Sequence, residues 1–457
     1  MKMQNHNIKV RFLGAAGTVT GSKYLIETPK KKILIDCGLF QGLKELRLLN
    51  WQNLPVDAST IDCVILTHGH LDHVGYLPLL VKQGFTGHIY ATEPTVEIAK
   101  LILRDSAKIQ EEDAERANRY HYSKHKEAKP LYDTDEAENV FPLFYPKSLK
   151  QWIDIGEGIS FRFRYNGHIL GASFIELKIE NQLFVFSGDI GRIEDPLLME
   201  TEYPEEADVV FIESTYGNRF HPSNVKALLA KEINNTVERH GTIIIPSFAV
   251  ERTQLLMYLL WQLQLEKQIP IIPIYMDSPM GSHVLDIFQH NLSWHKLSPQ
   301  ESIEMCRRIK LVQDEEETLE LMKSKTPKII IASSGMATGG RVLSYFEHYV
   351  GDSSATILLA GYQGEGTRGR ALLDGAKEIK MRGKFWPVRA FVSMIEGLSA
   401  HADQTELIHW LSKLKHAPSN IFIVHGEKDG ANILSKKIKE VYNWNAVIPQ
   451  LNQTEII

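Results

Sequence analysis

His68-Gly69-His70-Leu71-Asp72-His73 sets three imidazoles and a carboxylate directly behind the apolar run Cys63-Val64-Ile65-Leu66. Neutral imidazole and carboxylate are donor types that suit zinc, and a strand that stops abruptly lets successive side chains fan around one point. If the strand direction persists, His68 and His70 lie on one side, and Leu71 lets the chain curl so that Asp72 and His73 face a neighbouring point. One loop can then serve two adjacent metal positions. A polar loop facing water would explain a single histidine; four ligand-type residues in H-x-H-x-D-H spacing point to metal.

The elements that must position these groups are legible around them. Val10–Leu13, Tyr24–Glu27 and Ile33–Asp36 read as short strands joined by turns, a meander that leads into the metal loop. Residues 74–83 continue as a helical run stopped at Gly84, and 95–126 carry a long charged helical pattern with apolar Ile98, Leu101, Ile102 and Ile109, mostly a solvated face. The strand pattern returns at 159–165, 174–179 and 183–186. The first and last of these end beside ligand-type residues, His168 in Asn166-Gly167-His168 and Asp189 in Ser187-Gly188-Asp189.

From about Ser214 strands alternate with helices: 242–246 then 252–265, 271–275 then 282–290, 328–332 then 342–349, then 355–360. That rhythm implies a parallel sheet with crossover connections, a second α/β domain. Beyond Phe391, Ser399-Ala400-His401 and Val424-His425-Gly426 again place polar residues at strand ends, so the second domain is inserted into the first.

At 457 residues the chain is long enough for two or three domains, and its 43% apolar content is ample for their cores. Fifty-one basic against 56 acidic residues leave a net charge of −5, so a polyanion would have to be met by a local groove. Cys37, Cys63 and Cys306 include no C-x-x-C pair, which fits a reducing compartment and leaves nitrogen and oxygen as metal donors. The polar start, Met1 to Val10, lacks the apolar core of a signal peptide, and no run reaches membrane-span length. A soluble cytoplasmic protein is expected.

The H-x-H-x-D-H run behind an apolar strand resembles the signature of the metallo-β-lactamase superfamily. Glu213-Ser214-Thr215-Tyr216-Gly217, Ser399-Ala400-His401 and Val424-His425-Gly426 follow in the order of its β-CASP branch, whose members are nucleases with an inserted cap domain. Tyr275 to Met280, Ser333 to Met336 with Gly339-Gly340-Arg341, and Gly361 to Thr367 extend the likeness over nearly the whole chain. Histidine at 425 resembles the RNA-processing members, related to the endonuclease subunit of the pre-mRNA 3′-end cleavage factor. Leu398 and Gly364 depart from the common Phe and Ala, and neither is a ligand position. The resemblance implies a compact bacterial-type member, without the KH extension or extra C-terminal domain of other relatives.

What it implies for the fold is an αββα sandwich over 1–213 and 398–457, with an α/β cap of parallel sheet over 214–397. For the site, it implies one zinc held by His68, His70 and His168, a second by Asp72, His73 and His425, and Asp189 bridging them, with manganese able to substitute. A hydroxide between two such ions, about 3.5–4 Å apart, would attack phosphorus and leave 3′-hydroxyl and 5′-phosphate ends. His401 is the expected general acid, oriented by Glu213. Single-stranded RNA is the expected partner, cut internally, with room for a homodimer and no membrane.

In the cap, Ser333, Ser334, Gly335, Gly339, Gly340 and Arg341 lie between a strand and a helix, a place where amides can receive phosphate. Arg368 and Arg370 are further phosphate candidates. Lys377, Lys380, Arg382 and Lys384 beside Phe385 and Trp386 read first as a solvated edge strand. His88 is expected at a strand end; His121, His125, His283, His290, His295 and His348 have no partner spacing and are expected in surface or packing roles. Cys37 is expected to be buried. The competing classes are a 5′-exoribonuclease or DNA nuclease of the same fold, a glyoxalase-type hydrolase, which leaves so large an insertion unexplained, and a noncatalytic scaffold, which occupied ligand positions oppose.

Overall fold

Alternation of apolar and polar residues along short strands builds two sheets that face each other in the first of two compact units. The computed structural model describes residues 8–120, 126–361 and 363–457. His121, His125, Tyr362 and most of the polar start therefore lie outside the described residues. The first unit comprises Met1–Gln41, Glu45–Phe220 and His401–Ile457, and the second Gly42–Lys44 and His221–Ala400.

In the first unit, a seven-stranded sheet runs in the order Thr454–Ile456, Lys9–Phe12, Tyr24–Glu27, Lys32–Ile35, Cys63–Ile65, His88–Ala91, Phe144–Pro146. Its first four strands pair antiparallel and the rest parallel. The facing sheet has six strands, Asn420–Val424, Val209–Glu213, Gln182–Phe186, Ser173–Ile179, Ile159–Tyr165 and Ile153–Gly156. Between them Phe12, Tyr24, Phe186, Phe211 and Phe422 are fully buried, with Phe186 and Phe211 stacked at 4.2 Å. Burying side chains of this size stabilises the sandwich by roughly 1.5–3 kcal/mol each.

Helices cover the outer faces. Gln404–Leu411 and Lys428–Tyr442 bury Leu407, Trp410, Leu434 and Ile438 against Val185, Val210 and Ile423. Glu93–Arg119 starts at an N-cap from Thr92 and buries Ile98, Ala99, Ile102 and Leu103 along one stripe, so it is more than a solvated face, although Ile109 stays exposed as its charged flanks suggest. The helical run expected at 74–83 is two short helices, Leu71–Val74 and Leu77–Lys82, separated where the amide of Tyr76 leaves the helix to bond Cys37 O at 2.8 Å. Cys37 is buried, which pushes its thiol up to about 12.

The second unit is a six-stranded sheet, Ile309–Leu311, Ile274–Asp277, Lys328–Ala332, Thr242–Pro246, Thr356–Ala360 and Phe391–Ile395, parallel throughout as the strand–helix rhythm predicts. The strand expected at 271–275 starts later because Pro270 and Pro273 lack the amides a ladder needs. Among the described residues no helix is long and apolar enough to cross a membrane.

One buried carboxylate knits this sheet to its helices. Asp277 Oδ2 accepts hydrogen bonds from Thr318 Oγ1 at 2.6 Å and Tyr345 Oη at 2.7 Å, and Oδ1 lies 3.8 Å from Arg341 Nε. Asp277→Ala would remove the acceptor of the Tyr345 hydroxyl, at a cost of about 1–3 kcal/mol, while Thr318 Oγ1 keeps its bond to Asp314 O at 3.0 Å. A loss of about 1–3 kcal/mol in urea unfolding of the second unit is expected.

Candidate metal centre

The strand Cys63–Ile65 delivers the ligand-type cluster by ending in a turn that is hydrogen-bonded on every side. Beyond it, Thr67 N donates to Asp36 Oδ1 at 2.7 Å, and His70 becomes the N-cap of Leu71–Val74 without using its side chain as the cap. The carbonyls of Leu71, Asp72 and His73 are then held by the amides of Leu39, Ser22 and Cys37 at 3.1, 2.9 and 2.7 Å. Gly38 is required by this close approach, since a Cβ there would stand 1.6 Å from Asp72 O.

Three other segments converge on the loop. His168 follows Ile159–Tyr165, Asp189 follows Gln182–Phe186, and His425 follows Asn420–Val424 with its amide on Ala15 O at 2.8 Å. The result is two groups of donors. His68 Nε2 lies 3.1 Å and His168 Nε2 3.3 Å from His70 Nδ1, and both lie close to Asp189 Oδ2, at 3.5 and 3.6 Å. In the neighbouring group His73 Nε2 is 3.0 Å from His425 Nε2, which is 3.4 Å from Asp72 Oδ2. Asp189 Oδ1 is 3.4 Å from His73 Nε2, so its two oxygens face different groups. Each group has the composition and spacing to hold a cation.

The protonation pattern fits metal. Thr67 Oγ1 gives its proton to Asp36 Oδ2 at 2.8 Å and so accepts from His68 Nδ1 at 3.1 Å. Likewise Thr215 Oγ1 donates to His425 O at 3.0 Å and accepts from His425 Nδ1 at 3.2 Å, while Asp36 Oδ2 accepts from His73 Nδ1 at 2.8 Å. With those protons outside, the Nε2 lone pairs of all three rings face the cluster, the usual arrangement of metal-binding histidines. Such lone pairs in each donor group, and a buried Asp189 Oδ1 that accepts no hydrogen bond of ordinary geometry, are a set that divalent ions would satisfy.

Electrostatics agree. Burial, reinforced by neighbouring imidazoles, holds His68 and His168 well below the usual 6.5, and burial takes His70 to about 4 despite Asp72 and Asp189. These rings are neutral donors. Burial works against ionised Asp189, but His425, His73 and His68 outweigh it and hold the carboxyl well below its ordinary range. His73 alone of the loop histidines is driven up, because Asp189 and Asp36 overcome its burial. A cation beside Asp189 would take the place of that proton.

Next to the first group stands a histidine of a different kind. His401 is 4.5 Å, ring to ring, from His168, and its Nδ1 lies 3.1 Å from Glu213 Oε2. Glu213 is fully buried, and its Oε1 also accepts Ile190 N at 2.6 Å. Burial opposes a charge on His401, yet Glu213, with Asp189 and Asp72 farther off, raises its pKa above the usual value. Ala402 N on Ile190 O at 2.7 Å and the Asp403–Glu406 capping box fix the backbone on either side. Glu213 also lies within reach of Asp189 and His425, so it borders the second group as well as His401.

The cap residues expected at phosphate lie in the second unit, where several are already engaged. Ser334 Oγ accepts the amides of Thr338 and Gly339 at 3.2 and 3.4 Å, and Arg368 donates to the carbonyls of Ala337, Thr338 and Lys380. Arg370 binds Asp374 at 3.0 Å, and Arg341 faces Asp277. Ser333, Gly335, Gly339 and Gly340 shape the turn between Lys328–Ala332 and Val342–Tyr349. The basic stretch is a hairpin of its own, Glu378–Met381 with Lys384–Pro387, and Phe385 is exposed. His88 begins the strand His88–Ala91, and His295 is buried flat against Phe288 at 3.9 Å.

Sequence reasoning passed over Asp36, Thr67, Thr215 and Asn166, which support the cluster without entering it. The one available signal was Asp36 at the end of the apolar run Ile33-Leu34-Ile35.

Comparison with known proteins gives three family matches along the chain. The Metallo-beta-lactamase superfamily profile covers residues 16–231, the Beta-Casp domain 253–372, and the Zn-dependent metallo-hydrolase RNA specificity domain 386–449. Similar proteins include Ribonuclease TTHA0252 of Thermus thermophilus, 32% identical over 93% of this chain and 94% of that one. Transcription termination factor FttA of Methanosarcina mazei is 32% identical over 94% of this chain and 69% of its own, and Integrator complex subunit 11 of Danio rerio 26% over 99% and 74%. A solved Enterococcus faecalis protein of unknown function shares the fold, with a TM-score of 0.54 at 12% identity over 99% of this chain and 100% of that one.

Proposed function

The chain belongs to the β-CASP branch of the metallo-β-lactamase superfamily, and from that premise we propose that it is a metal-dependent ribonuclease that cuts single-stranded RNA internally. The observation that carries the reading is the meeting of two donor groups with the His401–Glu213 pair beside them. His68, His70 and His168 would hold one ion, Asp72, His73 and His425 the other, and Asp189 would reach both. Nitrogen and oxygen donors suit zinc, with manganese able to replace it. What bound divalent ions supply at such a site is Lewis acidity toward the phosphoryl group and acidification of a water.

The chain's own residues do the rest. Glu213 keeps the Nδ1 proton of His401 engaged, which leaves Nε2 as the atom that hands a proton to the departing oxygen. Asp36, Thr67 and Thr215 keep the ligand rings in the tautomer that binds metal. Because no step uses the RNA 2′-hydroxyl, the products would carry 3′-hydroxyl and 5′-phosphate ends. Residues 1–213 and 398–457 would form the catalytic domain and 214–397 the cap. In the cap, Ser333, Gly335, Gly339 and Gly340 would be the better phosphate contacts, since Ser334, Arg368 and Arg370 are engaged and Arg341 faces Asp277. A cytoplasmic location and a homodimer belong to the same reading.

End-labelled RNA with a blocked 5′ terminus tests it. Internal fragments with 3′-hydroxyl ends are expected, abolished by chelator and restored by zinc or manganese. Degradation of unblocked RNA alone would make the enzyme a 5′-exonuclease, equal cutting of single-stranded DNA would remove the sugar preference, and a 2′,3′-cyclic phosphate would overturn the chemistry.

A further inference from the structure

We propose that Asn166 is a positioning residue that sets the spacing of His168 and Asp189 by tying together the two loops that carry them. The inference rests on the ligand assignment made above. Asn166 is 1% exposed, and its side-chain Nδ2 donates to Ser187 O at 2.8 Å and to Asp189 O at 2.5 Å. An amide has two N–H donors, so each carbonyl receives one. The two carbonyls flank Gly188, which holds φ +54° and whose missing Cβ would stand 2.7 Å from the Thr67 side chain. The turn that presents Asp189 is thus clasped on both sides by one side chain.

The other groups of Asn166 point the same way. Its carbonyl accepts Gly191 N at 3.0 Å, its Oδ1 accepts Thr201 Oγ1 at 3.3 Å, and its amide bonds Ala172 O at 3.2 Å. Two residues on, His168 Nε2 stands 3.6 Å from Asp189 Oδ2. No aspartate could replace it, since a carboxylate would set oxygen against two carbonyl oxygens. The donors of the neighbouring group depend on other supports, His73 on Asp36 and His425 on Thr215. Loosening Asn166 therefore disturbs two donors of the position that includes His168, His168 itself and Asp189, but only the shared Asp189 of the one that includes His73, so the first weakens more.

The test is cobalt(II) titration of the full-length protein, followed by visible absorption and metal analysis, for wild type, Asn166→Ala and Asn166→Ser. With alanine, one class of cobalt is expected to bind about 10–100-fold more weakly, with kcat reduced and KM for RNA unchanged. Serine keeps one donor on a shorter stem and should fall between, and it carries the test should the alanine variant not fold. Ile175→Val, a core truncation in the same sheet, controls for general destabilisation and should leave the cobalt curve alone. An Asn166→Ala curve that overlays wild type, or one in which both classes weaken equally, overturns the positioning role. Failure of wild type to bind cobalt would instead overturn the ligand assignment itself.

Discussion

His401→Ala should keep the wild-type metal content and lose about 10²–10⁴-fold in kcat, the range a positioned general acid contributes. The expectation follows from where the ring sits. It is within 4.5 Å of the His168 ring, yet it belongs to neither donor group, and its Nδ1 is committed to a carboxylate with no exposure of its own. His401 is raised above the usual histidine value by Glu213, against its burial. His73 is likewise raised and paired to a buried carboxylate, but its Nε2 stands among the donors of the second group, whereas His401 has no atom in either group. RNA carrying a good leaving group, such as a 5′-thio linkage at the cut site, needs little protonation and should recover most of the lost rate. Metal analysis together with that rescue separates the roles, because loss of metal from His401→Ala would make it a ligand.

What the sequence made legible depended on how local each feature is. The strands at 24–27, 159–165, 242–246 and 328–332 emerge from period and β-branched content alone, and Arg252–Leu265 from a long apolar run whose faces are buried almost all round. Short helices pass unread, although Ser298 with Glu301 and Asp403 with Glu406 are start signals in plain view. The ligand-type residues could be named because they follow the ends of strands, in one case as the dense run His68 to His73. Their grouping came from resemblance to a family, since residues hundreds of positions apart meet only through sheet order.

The supports were harder for the same reason. Asp36 looks like any polar residue closing a strand until Lys32–Ile35 pairs in parallel with Cys63–Ile65, Ile35 opposite Ile65, and brings it beside Thr67 and His73. Asn166 gives no sign of itself in the sequence, because what it binds are backbone carbonyls 21 and 23 residues away. In the cap, Gly-rich spacing suggested amides open to phosphate. Ser334 takes two of those amides for itself, a local side-chain contact that spacing cannot distinguish from an anion site.

Asp189→Asn should do more damage to metal binding than loss of any single histidine. The substitution keeps shape and burial, removes the charge, and replaces one oxygen with a donor that cannot face a cation. Asp189 is the one residue whose two oxygens face both groups, at 3.5 and 3.6 Å from His68 and His168 and at 3.4 Å from His73. Without it, the first group is three neutral imidazoles with no anion to offset a divalent charge. The second keeps only Asp72, so the repulsion between two cations has no carboxylate between them. Metal content is expected to fall from two equivalents to one or fewer, and kcat by more than about 10³-fold, beyond the 10–100-fold typical of outer-shell partners. Thermal unfolding gives a readout free of activity. A ligand at a thousand times its dissociation constant stabilises the fold by about 4 kcal/mol, so zinc should raise the midpoint of wild type and leave Asp189→Asn nearly unmoved. A variant that still binds two zinc ions with a full thermal shift would show that the two groups are independent sites, each complete without a shared carboxylate.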